Sequence, residues 1–131
     1  MVATKTHVAV VDDDESFSRA LGRMLRVSGY EILVYRSAEA FLADTTHARL
    51  DCVVLDIHLG GMSGLDLRRR MLALGWTPPV IFVTAHDEEE IRKEAEDIGC
   101  AAYLRKPVPR RLLVEAIAKA VNAGSHTTNQ R

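Results

Sequence analysis

Two hydrophobic periods alternate along the chain. His7–Val11 is a short valine-rich run that ends in Asp12, Asp13 and Asp14. Phe17, Leu21, Met24 and Leu25 then recur at helical spacing within residues 15–28, and Gly29 closes that segment. Residues 30–35 form a second β-rich run. Ser37 is placed to cap a helix carrying Ala38, Phe41 and Leu42. Residues 52–55 are a third apolar run, delivering Asp56 at its end, and Gly60, Gly61 and Gly64 mark the loop before a helix over 65–74. Pro78 and Pro79 precede a fourth run over 80–83 that ends at Thr84. Residues 88–98 predict a charged helix stopped by Gly99. Residues 101–104 predict a shorter strand, followed by Arg105, Lys106 and Pro107. From Pro109 a last helix carries Leu112, Leu113, Ala116, Ile117, Ala120 and Val121, with Asn122, Ala123 and Gly124 as its stop.

Five strands alternating with five helices predict an α/β fold. The first four strands are apolar on both faces, as parallel strands covered by helices on both sides are. Right-handed crossovers then give a doubly wound sheet. A length of 131 residues fits one domain, and a 47% apolar content supplies its core. Residues 125–131 are polar, lack periodicity and are expected to be a disordered tail after a domain over 1–124. The 17 basic and 18 acidic residues leave a net charge of −1, which argues against a broad nucleic-acid-binding surface. The apolar runs are too short to span a membrane. The N-terminal run is also too short for a secretory signal and meets Asp12 directly. The expected compartment is the cytoplasm, with Cys52 and Cys100 as free thiols.

The chemistry follows from position. In open α/β sheets, ligands bind outside the carboxyl ends of the strands. There the first strand delivers Asp12 and Asp13, the third Asp56, the fourth Thr84, and Lys106 lies just past the fifth. Like charges held together call for a hard divalent cation, and three carboxylates suit Mg²⁺. A threonine hydroxyl and a lysine ammonium are groups that hold phosphoryl oxygens. Together these predict phosphoryl transfer through an aspartyl phosphate. Taken singly each residue has a plainer explanation: Asp14 and Thr84 as helix caps, Lys106 as a solvated lysine. A phosphohydrolase with an aspartate nucleophile is the competing enzyme class. It would want a carboxylate two residues past the nucleophile, where His58 stands.

Five short motifs occur in order: Val11-Asp12-Asp13-Asp14, Val54-Leu55-Asp56, Met62-Ser63-Gly64, Val83-Thr84-Ala85 and Tyr103-Leu104-Arg105-Lys106-Pro107. With them the chain resembles the receiver domain of two-component response regulators, of the chemotaxis and nitrogen-fixation types, over residues 7 to about 122. The resemblance implies a flavodoxin-like sheet of order 2-1-3-4-5. It implies that Asp56 accepts a phosphoryl group from a sensor histidine kinase or a histidine phosphotransfer protein. Asp12 and Asp13 would position Mg²⁺ or Mn²⁺, Asp13 directly and Asp12 through water, with Asp56 and the backbone carbonyl of His58 completing the set. Lys106 would pair with a phosphoryl oxygen, before a cis bond to Pro107. Thr84 would swing to the phosphoryl group, and Ala85 would leave its approach open. Tyr103 would report the change to a surface made of helix four, strand five and helix five. The domain would be a switch rather than an enzyme, limited to its own phosphorylation and dephosphorylation. It would signal to an unidentified downstream protein, with no nucleic acid or membrane contact, as a monomer or a phosphorylation-dependent homodimer.

The strand order sets Cys52 and Cys100 two strands apart, about 9–10 Å, beyond the roughly 7 Å that a disulfide allows. Three departures from the family pattern stand out. Leu59-Gly60-Gly61 replaces the usual Met-Pro after the phosphoacceptor, which should loosen that loop. Val108 replaces a common phenylalanine, and the fourth helix is unusually acidic. His58 and His86, each two residues past a site residue, are expected to flank the mouth and tune dephosphorylation, with pH dependence near neutrality. The plain alternative is two exposed loop histidines, and a shared transition-metal site is disfavoured on sequence grounds.

Overall fold

Valine and isoleucine runs that alternate their side chains between two helical layers build the sheet. The computed structural model describes residues 5–44 and 49–129, with side chains through residue 123. β1 (His7–Val11), β3 (Cys52–Asp56) and β4 (Val80–Thr84) are buried almost throughout. β2 (Glu31–Tyr35) and β5 (Ala102–Arg105) form the edges of a parallel sheet of order β2-β1-β3-β4-β5. The period of two is visible in the core. Val8, Val10, Val54, Ile81 and Val83 pack on one face, against Leu21 and Leu25 of α1 (Glu15–Val27) and Leu113 and Ile117 of α5 (Arg110–Asn129). Ala9, Val11, Val53, Leu55 and Phe82 pack on the other, against α2 (Ala38–Ala43), α3 (Gly64–Ala73) and α4 (Glu89–Ile98). Each fully buried Val, Leu or Phe contributes about 1.5–3 kcal/mol.

The order 2-1-3-4-5 corrects one expectation. β2 is not covered on both faces: as an edge strand it exposes Glu31 and Val34. Its apolar composition instead serves α2, where Phe41 takes the Tyr35 ring edge-on at 5.2 Å and stacks on Trp76 at 5.2 Å.

Local polar signals start and stop the helices. The Asp14 carboxylate accepts the Phe17 N–H, Ser37 accepts from Ala40, and Ser63 accepts from Asp66. α1 ends at Ser28 with Gly29 at φ 93°, a conformation that favours glycine. α4 lacks a side-chain cap but carries Glu89 and Glu90 in its first turn, which favour the helix dipole. α5 does not stop at residues 122–124; it is helical to Asn129, so the tail expected over 125–131 is helix as far as that residue. Gly124 disfavours a helix interior by only about 1 kcal/mol, too little to end one that earlier turns anchor. Residues 130 and 131 of that tail, and 1–4 of the expected domain, lie outside the described residues.

One charged side chain is part of the packing. Arg68 of α3 is buried and donates to the carbonyls of Pro78 (3.0 Å) and Gly99 (3.3 Å), joining the loops before β4 and after α4. Arg68→Ala strands both acceptors and is expected to cost about 2–3 kcal/mol in urea unfolding. Cys52 and Cys100 are free, as expected, and burial pushes the Cys52 thiol up to about 12. Among the described residues no helix is long and apolar enough to cross a membrane.

Candidate functional site

The carboxyl ends of β1, β3 and β4 and the residue just past β5 meet at one edge of the sheet. Asp12, Asp13 and Asp56 bring one oxygen each within 4.8 Å of one another. Asp12 and Asp56 are buried, while Asp13 is exposed. Lys106 Nζ lies 2.8 Å from Asp12 Oδ2 and 3.7 Å from Asp56 Oδ2. Its ammonium also sits 4.5 Å from the centroid of the Phe17 ring, a cation–π contact. That ring looks in the sequence like one more apolar helix position.

Backbone donors hold the two buried carboxylates. Asp12 Oδ1 accepts the Asp14 N–H at 2.9 Å, and Asp56 Oδ1 accepts the His58 N–H at 3.1 Å. Burial pushes the Asp56 carboxyl up to about 6, and the charge of Asp12 adds to this, against the pull of Lys106 and the His58 N–H. Burial by itself lowers Lys106. Its hydrogen bond to Asp12 and the charges of Asp12, Asp56 and Asp14 outweigh that and hold it above its ordinary value.

One ammonium does not balance three carboxylates. The donor set is all oxygen, which fits a hard cation. Asp12 Oδ2 is buried against the Lys106 ammonium at 2.8 Å, and a carboxylate oxygen has a second lone pair beyond that contact. It therefore keeps accepting capacity for a metal or a metal-bound water. The three aspartates fit Mg²⁺ on both counts.

Gly64 explains the Met-Ser-Gly motif. Its N–H donates to the Ile57 carbonyl at 2.9 Å, drawing the start of α3 against the end of β3. A Cβ on Gly64 would lie 2.2 Å from the Asp56 carbonyl oxygen. The loop between them is tied from outside as well: Glu39 of α2 accepts the Met62 N–H at 2.8 Å, and this bond holds the Glu39 carboxyl below its ordinary value. The Gly60-Gly61 segment expected to be loose is thus fastened at its far end. No sequence signal links Glu39 to a residue 23 positions away.

Not every expected side chain points into the pocket. Thr84 is fully buried at the end of β4, but its hydroxyl donates to the His86 carbonyl (3.1 Å) and accepts the His86 N–H (3.0 Å). Ala85 beside it is exposed. Tyr103 is half-buried on β5, and its hydroxyl donates to Asp87 at 3.3 Å. Arg92 lies 5.5 Å from the Tyr103 ring centroid and pairs with Asp87. Asp87 and Arg92 were absent from the expected site, and nothing in their spacing marks them. His58 and His86 are both exposed and touch each other, ring edge to ring face, with centroids 4.9 Å apart.

A 2-1-3-4-5 sheet with an acidic pocket and a lysine at its carboxyl edge defines a class: the aspartate-phosphorylated receiver modules of two-component signalling. The chain belongs to that class, since the response regulator receiver domain family matches residues 8–118. It is 35% identical over 118 residues to nodulation protein W of Bradyrhizobium diazoefficiens, covering 90% of this chain and 52% of that protein. A crystal structure of FixJ-N superposes with a TM-score of 0.81 at 32% identity, covering 92% of this chain and 96% of that one. A CheY-like receiver domain protein from Methanospirillum hungatei JF-1 gives 0.88 at 26% identity, covering 95% and 99%. The chain spans about half the length of the curated relatives it matches. Receiver domains are signalling modules that partner with histidine kinases and bind Mg²⁺ in an acidic pocket.

Proposed function

We propose that Asp56 is the phosphoacceptor of this receiver, taking its phosphoryl group from a phosphohistidine on a sensor histidine kinase or phosphotransfer protein. The N–P bond of the donor breaks as an Asp56 Oδ–P bond forms, and the imidazole leaves as a neutral ring once protonated. The observation that carries this is the setting of Asp56: a buried carboxylate with one oxygen on a backbone N–H and the other facing Lys106 at 3.7 Å. Lys106 is positioned to meet charge developing on the phosphoryl oxygens. Asp12, Asp13, Asp56 and the His58 carbonyl would hold Mg²⁺, or Mn²⁺ in its place, and the ion would supply the missing positive charge. Thr84 would exchange its bonds to His86 for one to the phosphoryl group past the small Ala85. Tyr103 would then leave Asp87, altering the surface of α4, β5 and α5 that a downstream protein reads. The unit is proposed as a cytoplasmic switch over residues 1–124 that turns over no other substrate and contacts protein rather than nucleic acid. It would be monomeric until phosphorylation.

The test is incubation with Mg²⁺ and acetyl phosphate, read on a phosphate-affinity gel. Wild type is expected to shift and Asp56→Asn to stay put; a shift in both would move the phosphoacceptor elsewhere. His58 and His86 are proposed to restrict water at the phosphoryl group. Alanine at either is expected to shorten the phosphoryl lifetime several-fold, measured by loss of label after the donor is removed. An unchanged lifetime in both would make them ordinary loop residues.

A further inference from the structure

The Lys106 ammonium is held by two arms that both lead back to Asp12. One is direct: Nζ lies 2.8 Å from Asp12 Oδ2. The other runs through the first turn of α1. Asp12 Oδ1 accepts the Asp14 N–H at 2.9 Å, and the Asp14 carboxylate accepts the Phe17 N–H at 3.1 Å. Phe17 then presents its ring face to Nζ, 4.5 Å from the centroid. The Asp14 cap thus fixes the backbone that carries the ring, and the ring itself is half-buried against the core layer of α1 and α5. The Lys106 side chain is only 15% exposed. The attraction between its charge and the ring face therefore acts with little water to screen it.

We propose that Phe17 is a positioning residue for phosphoryl transfer, its ring holding the Lys106 ammonium at the pocket without a hydrogen bond that transfer must break. The inference rests on the roles proposed above for Asp56 and Lys106. A lysine carries a point charge and three rotatable donors on a flexible four-carbon stem, so something must keep that charge in place. At rest Nζ is nearer to Asp12 than to Asp56, 2.8 Å against 3.7 Å. Its N–H groups must turn toward Asp56 when a phosphoryl group arrives there. A polar side chain at position 17 would hold the ammonium through directed bonds and would compete with the phosphoryl oxygens. An aromatic face attracts the charge through its quadrupole, which tolerates rotation of the N–H groups. An aliphatic side chain would fill the same core space and supply no such attraction. The ring thus serves two purposes, one in the core and one at the pocket.

The test compares labelling rates of the full chain with acetyl phosphate and Mg²⁺. Phe17→Leu, which keeps an apolar side chain, is expected to label about five- to tenfold more slowly than wild type. Phe17→Tyr, which keeps the ring, should stay within about twofold of wild type. In a Lys106→Met background the leucine should add no further slowing, because the charge it acts on is gone. An unchanged rate in Phe17→Leu, equal slowing by leucine and tyrosine, or an undiminished effect without the lysine would overturn the proposal. Phe17 would then be a core residue and nothing more. Proton resonance of the Lys106 ε-methylene reads the contact without any labelling. The ring current should move it upfield in wild type and Phe17→Tyr but not in Phe17→Leu; an unshifted signal in wild type would overturn the hold on the ammonium. A wild type that takes no label, or Lys106→Met labelling as fast as wild type, would overturn the reading of the pocket and this role with it. The ε-methylene shift would still decide whether Phe17 holds Lys106, so the two failures are told apart.

Discussion

Gly64→Ala is expected to lower the melting temperature by roughly 10 °C and to slow phosphorylation by acetyl phosphate. The added Cβ would sit 2.2 Å from the Asp56 carbonyl oxygen and 3.0 Å from Ile57 Cα. Both neighbours are backbone of a buried strand end, so neither can rotate away. Overpacking of this kind costs about 3 kcal/mol, and in a chain of this size 1 kcal/mol is worth roughly 3–4 °C. Relief requires α3 to back off from the end of β3 or Asp56 to move, and either disturbs the setting of the proposed phosphoacceptor carboxylate. Two neighbouring glycines are controls. A Cβ on Gly61 would meet Glu39 Oε2 at 2.6 Å, but that atom is the end of an exposed, flexible side chain; on Gly60 it would meet nothing within 4 Å. Neither has a positive φ. Calorimetry of the three alanine variants should therefore show one large loss and two small ones. Equal losses would mean that loop flexibility, rather than the approach of α3 to Asp56, is what the glycines provide.

How much of this was legible in the sequence depends on the range of the interaction. β1, β3 and β4 were, because strands buried on both faces keep a continuous apolar run whatever surrounds them. The charged members of the site were also legible, because a strand end fixes where its last residue goes. Asp12, Asp56 and Lys106 follow from that rule alone, before any resemblance. The exposure of β2 was not, since only strand order makes it an edge, and its composition matches that of the inner strands. The Thr84 hydroxyl was half legible. Its place at the end of β4 is a matter of register, but its bonds to His86 are a rotamer choice that sequence does not encode. Glu39 and Phe17 were invisible for a third reason. Glu39 reaches the loop from the exposed side of α2, which leaves no periodic trace, and Phe17 counts in the sequence as one more core-facing position of α1, which hides the contact of its ring with Lys106.

Asp56→Asn is expected to make the metal-free protein more stable at neutral pH, by about 3 kcal/mol, even as it removes the proposed phosphoacceptor. The carboxyl rises from 3.8 to about 6 in the folded chain, burial first and Asp12 second, and each unit is worth about 1.4 kcal/mol. The sign follows from proton uptake. Between those values the folded state holds a proton that the unfolded state has released, so stability present below pH 4 is lost as pH rises through 6. Urea unfolding in EDTA should give wild type and variant curves that run together at low pH and part across that window. Lys106→Met should do the reverse. It leaves Asp12, with its buried Oδ2, and Asp56 with no cation between them, and removing one partner of a buried ion pair costs about 3–5 kcal/mol. Mg²⁺ separates charge from packing as the cause. A cation bound only by the folded state stabilises by mass action, so it should recover most of what wild type and Lys106→Met lack and add little to Asp56→Asn. If Mg²⁺ raised all three equally, it would be acting elsewhere than on the three carboxylates. The pocket would then owe its instability to desolvation alone.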